Sequence, residues 1–148
     1  MEAVIFIGLQ GAGKSSFYRA RFFDSHVRLN LDMLHTRHRE TLLLRACIEA
    51  RQPFVADNTN PSVAERARYL TAAEAVGYRL VGYYFRMTLA ESLRRNAART
   101  GGKCIPEKGI FGTYKRLQVP TYDEGFHALY AVTTGEDAVA PGFMIEPL

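Results

Sequence analysis

AVIFIGLQGAGKSSFYRARFF, residues 3–23, is the stretch from which the rest of the chain can be read. Gly8, Gly13, Lys14 and Ser15 take the fixed places of the pattern G-x-x-x-x-G-K-[ST]. Ahead of the pattern, Ala3 to Ile7 is a short apolar run suited to a buried strand. Behind it, Ser16 to Phe23 can continue as a helix. A strand, loop and helix in this order point successive backbone N–H groups and a helix N-terminus at one anion. Gly8, Gly11 and Gly13, with the small Ala12, let the backbone close on that anion where a larger side chain would obstruct it. Lys14 is then placed to reach the outer phosphates of a nucleotide, Ser15 to hold Mg²⁺, and Ser16 to complete the cradle. The pattern implies a held nucleotide phosphate; it does not say what becomes of that phosphate.

The bulk numbers restrict the remaining choices. A chain of 148 residues is expected to form a single domain, spanning 1–148, with a proper core. Its 47% hydrophobic and 23% charged content are those of a soluble globular protein. No apolar run approaches a membrane span, and Glu2 with only five apolar residues before the loop does not read as a secretion signal. The expected location is therefore cytoplasmic. Cys47 and Cys104 lack metal-ligand spacing, and the four histidines are scattered, so zinc chemistry is unsupported. A net charge of +4 is compatible with a nucleic acid or another phosphorylated partner, and equally with an ATP site alone.

Further along, the pattern alternates between strand and helix. Residues 26–30 read as a second strand, and 33–51, free of Gly and Pro, as one long helix. Phe54 to Asp57 is a third short strand. Asn60 reads as a cap, Pro61 as a first-turn residue, and Ser62 with Glu65 as a capping box for a helix to about Val76, closed by Gly77. Arg79 to Arg86 is a fourth strand. Thr88 and Glu91 suggest a second capping box and a helix to about Arg99, and Pro106 restarts a stretch to about Leu117. Strands follow at 129–133 and 143–146, with a turn at 135–137 between them. This predicts an α/β P-loop fold: a mainly parallel central sheet with helices on both faces. In such sheets ligands bind beyond the carboxyl ends of the strands, so the glycine loop, Asp32 and Asp57 should converge.

Several residues there have chemical readings beside structural ones. Asp32 is placed to accept a proton from an attacking hydroxyl, or to cap the helix after it. Asp57 ends its strand as acidic residues that support Mg²⁺ from behind its direct ligands do, though Asp-Asn-Thr-Asn also suits local turn bonding. Arg95 and Arg99 are four apart and share a helix face. They suit a movable lid over phosphates, or a solvated basic surface. His35, Arg37, His38 and Arg39 could line an acceptor site or an ordinary charged face. Tyr83, Tyr84 and Phe85 read as core.

From Asp57-Asn58-Thr59-Asn60-Pro61 onward the chain resembles the kinase domain of the 5′-polynucleotide kinases, a domain known joined to a 3′-phosphatase in nucleic-acid end-repair enzymes. The likeness extends through Glu65-Arg66-Ala67-Arg68-Tyr69, Arg95-Asn96, Arg99, Ile105-Pro106, Val119-Pro120-Thr121 and Glu124-Gly125-Phe126, and takes in Asn30-Leu31-Asp32. The resemblance implies a P-loop kinase fold with a mobile lid at about 95–106, and ATP and Mg²⁺ as cofactors. It implies Lys14 and Ser15 at the ATP phosphates and the metal, Asp32 as general base for a 5′-hydroxyl, and Arg99 with Arg95 on the donor. Some members carry arginine where this chain has His35, and many have arginine where it has Leu31. His35 and Arg39 are the acceptor-side candidates.

The expected activity is transfer of the γ-phosphoryl group of ATP to a 5′-hydroxyl of DNA or RNA. The alternatives are the same chemistry on a small alcohol, such as a nucleoside or antibiotic, and a nucleotide-binding module without catalysis. The partners implied are ATP and a nucleic-acid 5′ end; no protein partner is inferred, and no membrane.

Overall fold

The computed structural model describes residues 1–101, 104–134 and 142–148. Its organisation follows from the first strand, β1 (Glu2–Ile7), in which five successive residues are buried. Side chains of a strand alternate between faces. Ala3, Ile5 and Ile7 accordingly join one core cluster, and Val4 and Phe6 another. A strand apolar on both faces has to be covered on both, which is the position of an inner strand of a parallel sheet.

The sheet has six strands in the order β2-β3-β1-β4-β5-β6, with β2 at Val27–Leu29, β3 at Phe54–Ala56, β4 at Arg79–Phe85, β5 at Ala128–Thr134 and β6 at Phe143–Pro147. The first five are mutually parallel, and β6 returns antiparallel along β5. One face is covered by α3 (Arg37–Ala50) and α4 (Val63–Glu74), through Leu44, Cys47, Tyr69, Leu70 and Ala73. The other is covered by α1 (Lys14–Arg21), whose Phe17 enters a cluster of rings. Its centroid lies 5.5 Å from that of Phe6, 5.4 Å from Phe85 and 5.0 Å from Phe143. The expected α/β architecture is the observed one, with strand limits shifted by a residue or two. Both chain ends lie where the parallel strands begin: Arg79 N donates to Met1 O, and Leu148 N to Leu129 O.

Five local readings are corrected. The single helix expected over 33–51 is two, α2 (Leu31–Leu34) and α3, separated at His35 with φ 70°. Thr36 makes the restart possible, its hydroxyl accepting from Arg39 N. The cap of α2 is Asn30, whose side chain accepts from Met33 N, so Asp32 is released from that duty. Asn60 is no helix cap: its buried amide donates to Phe6 O and Ala56 O, joining the ends of β1 and β3. Ser62 caps α4 in the expected box with Glu65, which leaves Pro61 outside the helix. At α5 (Leu89–Ala97) the box is only half made. Thr88 accepts from Glu91 N, but the Glu91 carboxylate is taken by Arg94 and Arg95. The last α-helix among the described residues is α6 (Glu107–Arg116), followed by a single 3-10 turn at Tyr122–Glu124. The turn expected at 135–137, and Gly102 and Lys103 of the expected lid, lie outside the described residues.

Candidate active site

The glycine loop leaves the carboxyl end of β1 and turns into α1. Its first residue is tied to the chain after β3, Gly8 N donating to Thr59 O at 3.0 Å. Gly13 has φ 91° and stands so close to β5 that an added Cβ would meet Thr134 Cγ2 at 2.8 Å; glycine is required there on both counts. No side chain caps α1, so its first N–H groups face the loop, as an anion site requires. Lys14 is buried, its ammonium donating to Gly8 O at 2.9 Å and Leu9 O at 2.7 Å. Burial lowers its pKa to about 8; Asp57 and Asp32 pull it up and Arg99 pushes it down. The two carboxylates expected to converge on the glycine loop thus both act on the Lys14 charge.

β3 delivers Asp57 beside β1. The Asp57 side chain is 2% exposed, and Ser15 Oγ donates to its Oδ2 at 3.2 Å. A third residue completes this corner. Arg28, on β2, donates from Nε to Asp57 Oδ2 at 2.8 Å and from Nη2 to Ser15 Oγ at 2.8 Å, and its guanidinium lies 5.7 Å from the Tyr18 ring centre. A hydroxyl and a carboxylate side by side are hard oxygen donors, and the corner already attracts a cation, so the residues fit Mg²⁺. Sequence reading missed Arg28. The available signal was a charge between Val27 and Leu29 of a predicted strand, on the face where Val55 is its neighbour in register. A charge on a covered face has to have a partner.

Asp32 is exposed at the start of α2, between two N–H groups that asparagines fix. Leu31 N donates to Asn58 Oδ1 at 2.9 Å and Met33 N to Asn30 Oδ1 at 3.0 Å. Asn30 in turn donates to Asp57 O at 2.6 Å, so the ends of β2 and β3 move together. Behind Asn58 lies a network that the sequence did not reveal. Asn58 donates to Glu40 Oε2 and to Tyr69 OH, Tyr69 OH donates to Glu40 Oε1, and Arg37 donates to both. Glu40 is 1% exposed, and burial with its carboxylate nearby pushes Tyr69 up to about 12.

Above the loop, α5 supplies Arg95, and Arg99 follows two residues past its end. Arg95 Nη1 donates to Gly11 O at 2.8 Å while its Nε is held by Glu91 at 2.9 Å. A Cβ on Gly11 would lie 3.6 Å from Arg99 Nη2, so both arginines overhang the loop. Ser92 Oγ donates to Gln10 O, and Gln10 Nε2 to Thr113 Oγ1, which fastens α5 and α6 to the same loop. Asn96 bonds both N and O of Ile105, tying α5 to the chain just ahead of α6. His35 and Arg39 stand apart, exposed at the corner between α2 and α3. Arg39 Nη1 turns back onto Leu34 O, and neither joins the loop's hydrogen bonds among the described residues.

The pairing of Ser15 on one strand's loop with Asp57 on the strand next to it defines a class: the fold is that of the P-loop kinases. Residues 4–110 match the AAA domain family, and the chain belongs to it. It is 26% identical over 132 residues to a bifunctional polynucleotide phosphatase/kinase of Schizosaccharomyces pombe, a match covering 84% of this chain and 32% of that one. The chain thus spans about a third of that relative's length. Two solved structures share the fold. A gluconokinase from Sinorhizobium meliloti 1021 superposes with a TM-score of 0.62 at 20% identity, covering 91% of this chain and 83% of its own. Chaetomium thermophilum Kti12 in complex with ADP-AlF3 gives 0.67 at 12% identity, covering 92% and 91%. Among the described residues, no helix is long and apolar enough to cross a membrane.

Proposed function

We propose that the chain is an ATP-dependent phosphotransferase that moves the γ-phosphoryl group to a 5′-hydroxyl of DNA or RNA. The observation that carries this reading is the hydrogen bond from Ser15 Oγ to Asp57 Oδ2 beside a loop whose carbonyls at Gly8 and Leu9 hold the buried Lys14. In this reading the donor-side cations and the exposed carboxylate of Asp32 serve one site. The backbone at Gly8, Gly11, Ala12 and Gly13, with Ser15 and Ser16, cradles the phosphates, and Arg95 and Arg99 cover them. Ser15 would hold Mg²⁺ directly and Asp57 would support it; when bound, the ion would neutralise charge on the outer phosphates. Asp32 takes the proton of the acceptor hydroxyl as its oxygen bonds to the γ-phosphorus and the bond to the β–γ bridging oxygen breaks, releasing ADP. Lys14 and Arg99 meet the charge that develops. An acidic strand as acceptor is supported by the net charge of +4 and the polynucleotide phosphatase/kinase relative; His35 and Arg39 flank its approach to Asp32.

Labelled phosphate offered as ATP tests the proposal. Transfer to 5′-hydroxyl oligonucleotides is expected. Asp32→Ala should lower it by roughly 10²- to 10⁴-fold without loss of ADP binding, and Lys14→Ala should remove both. Turnover with nucleosides or other small alcohols but never with oligonucleotides would overturn the acceptor assignment. ADP binding with transfer to no acceptor would leave a nucleotide-binding module.

A further inference from the structure

Arg28 belongs to neither the loop nor the lid, yet it occupies the corner on which the metal reading depends. A carboxylate as buried as Asp57 is costly without a countercharge. Arg28 supplies that charge through Nε, with a second donor spent on Ser15 Oγ. The Ser15 hydroxyl has one proton and two lone pairs. Its proton is directed at Asp57 Oδ2 and it accepts from Arg28. A metal ion on the same oxygen would crowd that donor and repel the guanidinium beside it. Arg28 also has somewhere to go. It stands on β2, the three-residue edge strand of the sheet, its side chain is 24% exposed, and its guanidinium already lies over the Tyr18 ring, a contact that does not depend on Ser15.

We propose that Arg28 is the resident counter-ion of the metal corner: it neutralises Asp57 in the nucleotide-free protein and yields Ser15 when a divalent cation arrives with the nucleotide. The ease of this exchange then sets the Mg²⁺ concentration the site requires. The inference rests on the nucleotide half of the proposed function and is independent of the acceptor.

The test is ADP binding to the full chain by titration calorimetry at a series of free Mg²⁺ concentrations. In Arg28→Gln the metal has no competitor and Asp57 no countercharge. The Mg²⁺ midpoint for tight ADP binding should therefore fall on the order of tenfold, the weight of one charge-assisted hydrogen bond. Arg28→Lys keeps the charge but loses the two-pronged donor, so its midpoint should fall by less, about two- to threefold. Cooperative unfolding followed by circular dichroism shows whether each variant is folded. An unchanged or raised midpoint in Arg28→Gln, or in Arg28→Lys should the glutamine variant not fold, overturns the inference. Wild-type protein that binds no ADP at any Mg²⁺ concentration would instead sink the nucleotide reading itself.

Discussion

An ammonium group cut off from water holds its proton less tightly, and Lys14 accordingly titrates at about 8, down from 10.5. A phosphate dianion beside it favours the charged form, so the nucleotide-bound protein keeps this proton to higher pH. The bound state then holds more protons than the free state above pH 8, and ADP affinity should fall there as pH rises, by up to about tenfold per unit. Calorimetry between pH 7 and 9.5 should find affinity level below about 8 and declining above it. Residues at this scale were legible where their partners follow at fixed spacing. Gly8, Gly13, Lys14 and Ser15 lie within one motif. Arg28 was not, because it meets Ser15 from 13 residues away and Asp57 from 29. Glu40 looked like any charge on an exposed helix until α4 brought Tyr69 against it.

The secondary-structure elements were read best where a side chain writes the boundary. Ser62 and Glu65 make a reciprocal box, so Ser62→Ala removes the bond from Glu65 N and the hydroxyl's own bond to the Glu65 carboxylate, and should cost about 1 kcal/mol in a denaturant melt. Thr88→Ala removes a single bond, at a half-made cap, and should cost less. The break between α2 and α3 carries no Gly or Pro. It arises because Asn30 and Thr36 each cap a separate helix and His35 takes a positive φ between them. Two caps six residues apart were present in the sequence but masked by good helix-forming residues around them. The consequence is chemical, since a continuous helix from Met33 would have left Leu31 and Asp32 outside it. The break places Asp32 in the first turn of α2, where its neighbours are held by Asn30 and Asn58.

Across the whole molecule, alternating strands and helices gave the α/β class, whereas strand order depends on contacts no local pattern records. One such contact joins two segments through which the chain resembled polynucleotide kinases. Arg66, fully buried on α4, meets Glu124 through Nε at 2.7 Å and Nη2 at 3.0 Å, and its Nη1 binds Asn60 O and Pro61 O. That resemblance therefore marks a strut of the fold as well as a chemical site. Arg66→Ala strands a buried carboxylate and should cost about 3–5 kcal/mol, a large share of the roughly 5–15 kcal/mol that holds a domain together. Arg66→Met combined with Glu124→Leu should recover most of the loss in thermal melts, because no charge is then left unpaired.

The antiparallel return of β6 brings Leu148 to the start of β5, and Met1 stands at the start of β4. Phosphate chemistry is assigned to the opposite rim, where the parallel strands finish. A fluorophore or a surface tether attached beside Met1 or Leu148 would therefore hang from the back of the molecule, leaving the carboxyl ends of the parallel strands clear.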